Sequence, residues 1–354
     1  MTSSTGNRGF GIVGTGVIAA MHADAIAALP GARLVAVTDV AAGAAAAFAA
    51  ARGCVAEPGL DALLARADVE VVCICVPSGL HAEIGTRAAR AGKHLVVEKP
   101  IDVTLAAADR LIDAAHAAGV ALTVISQHRF DSGLIELKRL ISDGVLGRLV
   151  LGEASTKWYR TQSYYDSAGW RGTWAMDGGS LMNQGVHYVD LLRWCMGPVI
   201  EVTAVCTTQA HQIEVEDTAL AIVRFSSGAV GTILSSTAAR PGFPQRLEIT
   251  GTEGTVIVED GRIARRAFGA GTQRPGDDAA GDEGAGPGAA ADPAAVDVAG
   301  HAAQIADLLA AIDEGREPAV GGEAGRQALE IVCAVYESAR TGRTVRLMSG
   351  PPGV

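Results

Sequence analysis

Apolar segments alternate with alanine-rich helical segments through the first 130 residues, and this alternation constrains the fold more than any other feature of the chain. Strands without polar alternation are typical of a sheet that is covered on both faces. Helices between such strands predict a parallel, doubly wound sheet. We predict a first strand that enters a glycine turn at 10–16, strands at 33–39, 69–76, 94–97 and 120–125, and helices at 16–29, 41–52, 82–91 and 105–118.

The pattern changes after residue 130. Short strands separated by turns indicate a mostly antiparallel sheet, so we expect an α/β domain at 1–130 and an α+β domain with a large open sheet at 131–354. Within the second domain, a tract at 269–297 rich in Gly, Ala, Asp and Pro predicts a mobile surface loop. The expected helices lie at 133–143, 181–196, 301–313 and 323–340, and the expected strands at 199–209, 217–226, 229–239, 246–250 and 255–259.

Charge and composition exclude several classes of function. The chain has 354 residues, 49% of them hydrophobic, and a net charge of −10, which disfavours nucleic-acid binding. No apolar run reaches the roughly 18 residues of a membrane span, and the opening MTSSTGNRG has no apolar core of a signal peptide. The six cysteines form no CxxC pair, which predicts buried thiols and no metal. We therefore expect a cytoplasmic protein with neither membrane nor nucleic-acid partners.

A nucleotide-binding motif follows the first strand. Residues 14–19 read GxGxxA, where the glycines suit a tight turn and close approach of a pyrophosphate to the start of a helix. Asp39 ends the next strand, where it could accept hydrogen bonds from a ribose and would repel a 2′-phosphate, which favours NAD over NADP. A glycine-rich turn without a ligand is the alternative. The predicted cofactor contacts here are Gly14, Thr15, Gly16, Val17, Ile18 and Asp39.

Two further strand ends complete the predicted nucleotide site, because ligands of open parallel sheets bind at the carboxyl ends of the strands. Val76 and Pro77 end the third strand, and His81 follows either as a cofactor contact or as a polar residue of the next helix. Glu98 and Lys99 follow the strand at 94–97 and are also predicted to contact the cofactor.

The Lys99 side chain is also a candidate catalytic group. Pro100 biases Lys99 towards an extended backbone, which projects the ammonium from the strand end towards a substrate hydroxyl. An ordinary surface Glu-Lys turn is the alternative interpretation.

The segment at 177–190 supplies a second group of candidate catalytic residues. Asn183 and His187 are four residues apart and share a helix face, and Asp190 could orient the imidazole. Histidine titrates near neutral pH and suits general acid–base chemistry. A structural histidine is the alternative, and the absence of a second nearby histidine argues against a metal.

Aromatic residues cluster in the second domain, where eight of the fifteen lie between Trp158 and Trp194 with arginines among them. Ring faces with a few polar anchors suit a sugar or cyclitol, whereas a second core or a subunit interface is the alternative. The predicted substrate-binding residues are Lys99, Tyr159, Arg160, Trp170, Arg171, Asn183 and His187.

The motifs together resemble the glucose–fructose oxidoreductase/inositol dehydrogenase/MocA (Gfo/Idh/MocA) family. The resemblance rests on GTGVIA near the start, TD at 38–39, VPSGLH at 76–81, EKP at 98–100, the glycine–histidine segment at 178–190 and the closing region after 314. It implies a Rossmann domain, an α+β domain with an open sheet, and NAD(P)-dependent hydride transfer at a hydroxyl or carbonyl of a sugar or cyclitol. It also implies a homodimer or homotetramer that packs through the C-terminal sheet.

In many members of this family a lysine, an aspartate and a histidine form the catalytic set. The resemblance maps these positions onto Lys99, Asn183 and His187, so Asn183 departs from the family pattern. This departure puts an inositol substrate in doubt, because an amide cannot stabilise an imidazolium as a carboxylate does. Two other functions stay open: an NAD-dependent glycoside hydrolase that works by transient oxidation, and a non-catalytic NAD-binding sensor.

Overall fold

The computed structural model describes residues 7–269 and 298–347, so the predicted loop at 269–297 lies outside the described residues except for Gly269. The chain divides into two compact units. The first comprises Met1–Gln127 and Val296–Arg326, and the second comprises His128–Ala295 and Gln327–Val354.

The first unit contains a six-stranded sheet in the order β3-β2-β1-β4-β5-β6, and every strand pair is parallel. The strands are β1 (Arg8–Val13), β2 (Ala32–Thr38), β3 (Val55–Ala56), β4 (Val71–Ile74), β5 (His94–Val97) and β6 (Leu122–Val124). The helices between them are α1 (Val17–Ala27), α2 (Ala42–Arg52), α3 (Leu60–Ala65), α4 (His81–Arg90) and α5 (Leu105–Ala118). β4 is buried at every position, as the uninterrupted apolar pattern predicts. The doubly wound α/β prediction is confirmed.

The second unit contains an eight-stranded sheet in which only the β7–β10 pair is parallel among the described residues. The strand order is β13-β12-β11-β7-β10-β9-β8-β14. The strands are β7 (Leu149–Lys157), β8 (Val199–Thr207), β9 (Thr218–Phe225), β10 (Val230–Ser236), β11 (Arg246–Gly251), β12 (Gly254–Glu259), β13 (Arg262–Phe268) and β14 (Val345–Arg346). The helices are α6 (Ser132–Ser142), α7 (Gln162–Asp166) and α8 (Val186–Met196). The prediction of an open, mostly antiparallel sheet is confirmed.

Three strands of this sheet, β7, β13 and the two-residue β14, are not predicted from the sequence. β7 occupies its centre, yet its inward positions are small or polar: Gly152, Ala154 and Thr156. β13 is an edge strand rich in arginine. Neither β7 nor β13 shows the strongly apolar alternation by which strands are recognised in a sequence.

The last two helices are α9 (Val298–Glu314) and α10 (Gly322–Thr341). The sequence predicts α9 as part of the second domain, whereas its packing places it in the first unit. Ile305 and Leu308 are fully buried in a core cluster with Ala19, Ala23 and Ile26 of α1. The alanine surface of α1 therefore receives a helix from much later in the chain. Among the described residues, no helix combines the length and apolar character needed to cross a membrane.

Candidate active site

The turn after β1 requires glycine for two reasons. Gly14 has a φ of +88°, and a Cβ there would lie 2.4 Å from the carbonyl oxygen of Cys75. Gly16 is the N-cap residue of α1, and the first turn of this helix contains no acidic residue. No atom lies within 4 Å of the position that a Cβ of Gly16 would take. The first turn of α1 therefore presents backbone N–H groups to an anion, as a bound pyrophosphate requires.

The Asp39 carboxylate organises this turn from the end of β2. The backbone N–H and hydroxyl of Thr15 donate to its Oδ2 at 2.8 and 2.9 Å, and the backbone N–H of Ala41 donates to Oδ1 at 2.8 Å. Partial burial raises the pKa of Asp39, but these hydrogen bonds outweigh it and lower the pKa below its usual value. An ionised carboxylate can accept from a ribose hydroxyl and repels a phosphate, so these residues fit NAD.

His81 connects two loops of the nucleotide site. It is 1% exposed, with Nδ1 2.7 Å from the carbonyl oxygen of Pro100 and Nε2 2.9 Å from that of Val76. Burial lowers the pKa of His81, and the two carbonyl oxygens partly oppose this effect. Because both ring nitrogens face backbone carbonyls, the structure favours a structural role for His81 over the alternative of a direct cofactor contact. Val76 and Pro77 remain half-buried after β4.

Lys99 follows β5 and is half-buried, and the Lys99–Pro100 peptide bond is cis. The preceding Glu98 is 5% exposed, so an ordinary surface Glu-Lys turn is not what the structure shows. One carboxylate oxygen of Glu98 accepts the backbone N–H of Lys99 at 3.1 Å, and the other lies 2.7 Å from Nε2 of His22. These contacts give Glu98 a role inside the protein, and its contact with the cofactor stays a prediction.

Asn183 and His187 lie in consecutive helical segments of the second unit. Leu181–Gly185 form a π-helical turn that leads directly into α8, where His187 lies. Such turns occur frequently at functional sites. The Asn183 amide donates to Asp177, whose other carboxylate oxygen accepts the backbone N–H of Gly172 at 2.8 Å. Sequence reasoning missed Asp177 as the partner of Asn183, although it directly precedes the two glycines of the segment.

His187 is 8% exposed and its ring meets that of His128 edge to face at 5.2 Å. Nδ1 of His128 lies 2.7 Å from Asp131, so His187 has a histidine–carboxylate neighbour that the sequence analysis did not identify. Asp190 is the residue that the sequence predicts to orient His187. Its two carboxylate oxygens accept hydrogen bonds from the Arg129 guanidinium, at 2.7 and 2.5 Å. Lys99 belongs to the first unit and His187 to the second, so their joint action on one hydroxyl stays a prediction.

Four of the predicted substrate-binding residues take part in arginine–aromatic stacking. The Arg160 guanidinium lies 4.9 Å from the Trp158 ring and 5.6 Å from the Tyr164 ring. The Arg171 guanidinium lies 4.3 Å from the centre of the Tyr164 ring and 4.4 Å from the centre of the Trp170 ring. We call these five side chains the arginine–aromatic stack. Nearby, Tyr159 stacks with Arg240 at 4.4 Å.

A buried acid supports the loop that carries Asn183. Oε1 of Glu216 accepts the backbone N–H of Leu181 at 2.8 Å and the hydroxyl of Tyr336 at 3.1 Å. The Tyr336 oxygen in turn accepts the backbone N–H groups of Gly179 and Met182 at 3.3 and 3.2 Å. A Cβ at Gly179 would lie 1.7 Å from Glu216, so glycine is required there. Burial raises the pKa of Glu216 to about 7.

Comparison with known proteins agrees with this geometry. Residues 8–126 match the model of an oxidoreductase family with an NAD-binding Rossmann fold, and residues 134–257 match the model of the GFO/IDH/MocA C-terminal domain. The chain belongs to the Gfo/Idh/MocA family. It is therefore an NAD-dependent oxidoreductase that acts on CH–OH groups.

Individual members of the Gfo/Idh/MocA family align over nearly the whole chain. An inositol 2-dehydrogenase of Rhizobium meliloti (strain 1021) is 30% identical over 96% of this chain and 98% of its own length. The WlbA dehydrogenase of Bordetella pertussis, solved in complex with NADH and UDP-GlcNAcA, is 35% identical with a TM-score of 0.86 and covers 96% of this chain and 97% of its own. A levoglucosan dehydrogenase, solved with NADH and L-sorbose, shares the fold at 24% identity and a TM-score of 0.84, over 96% of this chain and 98% of its own.

The raised pKa of Glu216 predicts a pH-dependent stability. The folded protein binds a proton more tightly than the unfolded chain, so Glu216 stabilises the fold below about pH 4.5 and loses this contribution as the pH rises through 7. Glu216→Gln keeps the acceptor for Leu181 without the charge. We expect its free energy of unfolding to match the parent at pH 5 and to exceed it at pH 8 by on the order of 2–3 kcal/mol.

Urea denaturation at both pH values measures this difference. Glu253→Gln, at an exposed position of the same unit, is the control and should show no such pH dependence. An effect of Glu216→Gln that is equal at pH 5 and pH 8 would show that the pKa of folded Glu216 does not lie between these values and would contradict the prediction.

Proposed function

We propose that this chain oxidises a ring hydroxyl of an acidic sugar derivative. In this proposal, Lys99, Asn183 and His187 bind, orient and deprotonate the hydroxyl group. The arginine–aromatic stack carries the proposal, because it combines aromatic surfaces for a sugar ring with the partly exposed guanidinium of Arg171 for a carboxylate. The WlbA structure supports the substrate class, since UDP-GlcNAcA is an acidic nucleotide sugar.

The catalytic roles follow from the chemistry of the side chains. NAD⁺, when bound, accepts the hydride that leaves the carbinol carbon. His187 takes the hydroxyl proton as the C–O bond becomes a carbonyl, and the Lys99 ammonium donates a hydrogen bond to the same oxygen. Asn183, fixed by Asp177, orients the substrate or the imidazole. Gly14, Thr15, Gly16, Val17, Ile18 and Asp39 hold the dinucleotide.

Stacked guanidinium groups suit recognition of a carboxylate. When a guanidinium lies flat on an aromatic ring, its N–H groups remain available at the edge of the plane, where they match the two oxygens of a carboxylate. Arg171 donates to the hydroxyl of Tyr164 at 2.7 Å, while its Nε is buried with no hydrogen-bond partner among the described residues. The Arg171 side chain as a whole is partly exposed, so other N–H groups of its guanidinium are accessible to an anionic group.

Compartment and assembly are parts of the same proposal. The six cysteines are all free, which supports a reducing, cytoplasmic environment. One face of the second sheet exposes the apolar side chains of Val205, Leu220 and Ile222. Polar side chains are usual on a sheet face in contact with water, so an exposed apolar face is typical of an interaction surface. Val205 and Leu220 pair across β8 and β9, so the apolar positions are contiguous. A second copy of the chain, in a homodimer or homotetramer, would cover this face.

A charged residue on the exposed face should prevent this assembly. We expect Ile222→Glu, which places like charges at a self-complementary surface, to convert the dimer or tetramer to monomer in light-scattering measurements. Ile135→Glu, exposed on α6, is the matched control and should leave the mass unchanged. A monomeric parent protein would overturn the proposed assembly.

Removal of the proton-transfer groups should lower turnover more than cofactor binding. We expect Lys99→Ala and His187→Ala to reduce kcat by about 10²–10⁴-fold, the usual contribution of general acid–base catalysis. The Kd for NADH, measured by fluorescence titration, should stay within a few-fold of the parent value. Unchanged kcat in both variants would remove the proposed chemistry.

The parent protein can also be tested for the two alternative functions. Aglycone release from glycosides without net NADH would identify a hydrolase, and NAD binding without any turnover would identify a sensor.

The arginine–aromatic stack predicts discrimination by charge. With glucuronate or UDP-GlcNAcA as substrate, Arg171→Met should lower kcat/KM by about 10- to 100-fold, because a hydrogen bond to a charged group is worth about 1.5–3 kcal/mol. With glucose or UDP-GlcNAc, which lack the carboxylate, the loss should be much smaller. Arg148→Met, at an exposed position of the second unit, is the control. An equal loss on acidic and neutral substrates would assign Arg171 a purely structural role.

A further inference from the structure

A buried cluster in the first unit has no part in the mechanism above. Glu98 follows β5, His22 lies on α1 and His301 lies on α9, and all three side chains are buried. One donor or acceptor atom from each lies within 4.8 Å of the other two. The cluster therefore joins three separate elements of the first unit at the point where the chain enters the Lys99 segment.

Both histidines face the same carboxylate oxygen. Nε2 of His22 lies 2.7 Å from Oε1 of Glu98, and Nε2 of His301 lies 3.6 Å from it. The two rings meet edge to face, with centroids 5.3 Å apart. Among the described residues, Nδ1 of His22 and both ring nitrogens of His301 have no hydrogen-bond partner. Glu98 is therefore the polar group on which both imidazoles converge.

The second carboxylate oxygen of Glu98 connects the two histidines to the backbone of Lys99. Oε2 accepts the backbone N–H of Lys99 at 3.1 Å. Burial on its own raises the pKa of Glu98, but the hydrogen bond with His22 and the His301 imidazole at 3.6 Å outweigh it and hold the pKa below its usual value, so the carboxyl stays ionised. Loss of either imidazole would leave a buried carboxylate poorly compensated, and the carboxylate would then take up a proton or move.

We propose that His22 and His301 are positioning residues that act through Glu98 to fix the backbone of Lys99. On the other flank, the carbonyl oxygen of Pro100 is bound by His81, so the short segment that carries Lys99 is held from both sides. This inference rests on the proposed function of Lys99. We call His22, His301 and Glu98 the clamp. A displacement of about 1 Å in a positioning contact can lower the rate about 10²-fold, so fixing the Lys99 backbone in this way can affect catalysis.

Variants of the two histidines test the clamp. We expect His22→Leu and His301→Leu to lower kcat by about 10- to 100-fold while the Kd for NADH and the substrate KM change only a few-fold. His22→Gln should restore most of the rate, because its amide nitrogen can donate at the place of Nε2. His116→Leu, exposed on α5 of the same unit, is the control. If His22→Leu does not fold, His301→Leu and His22→Gln test the same point.

A double-substitution cycle separates positioning from general structural damage. In a Lys99→Ala background, His22→Leu should cause no further loss of kcat, because the clamp acts only through Lys99. Additive losses would overturn the clamp. If Lys99→Ala alone leaves kcat unchanged, the proposed function fails; if it lowers kcat while both leucine variants keep the parent rate, the clamp alone fails.

Metal analysis of the purified protein provides an independent test, because two imidazoles and a carboxylate can also bind a divalent cation. We expect less than a tenth of an equivalent of zinc or another transition metal, since His22 and Glu98 are at hydrogen-bond distance. About one equivalent, lost in His301→Leu, would overturn the clamp and identify a metal site.

Discussion

A carboxylate removed from water must be surrounded by hydrogen-bond donors, and this requirement organises the loops that carry the candidate catalytic residues. In the first unit, Asp39 holds the glycine turn and Glu98 holds the Lys99 segment. In the second unit, Asp177 and Glu216 hold the two ends of the segment that leads to α8. In each case at least one donor is a backbone N–H group, so the acid fixes a point on the path of its loop.

Burial of these acids disfavours the ionised carboxylate, and the hydrogen-bond donors that offset this effect differ from one position to the next. The Asp39 carboxylate, with several donors, is held ionised, and so is Glu98, with two histidines beside it. Glu216 has one tyrosine and one backbone donor at the same oxygen, and burial raises its pKa to about 7. The number and charge of the donors therefore decide whether an interior acid supports its loop as an anion or as a neutral group.

The fold could be predicted from the sequence wherever burial leaves a periodic pattern. β4 is apolar and buried at every position, and α5 is preceded by a capping threonine, Thr104, so both elements can be located from the sequence, whereas the exposed two-residue β3 could not. β7 could not be found, since its central place in the sheet is filled by small and polar residues. The packing of α9 on α1 could not be found either, because no local pattern records which helix will cover an alanine surface.

In the candidate site, too, residues in local sequence motifs could be predicted, whereas partners from distant positions in the chain could not. Lys99 and His187 stand in local motifs, but the partners of the loops around them come from distant positions: His301 for Glu98, and Tyr336 for Glu216. Asn183 shows why such partners matter. As a neutral amide it cannot replace a catalytic carboxylate, yet its hydrogen bond to Asp177 places a carboxylate one side chain behind it. The position thus keeps an acid within its hydrogen-bond network while presenting an amide, which can both donate to and accept from a sugar hydroxyl.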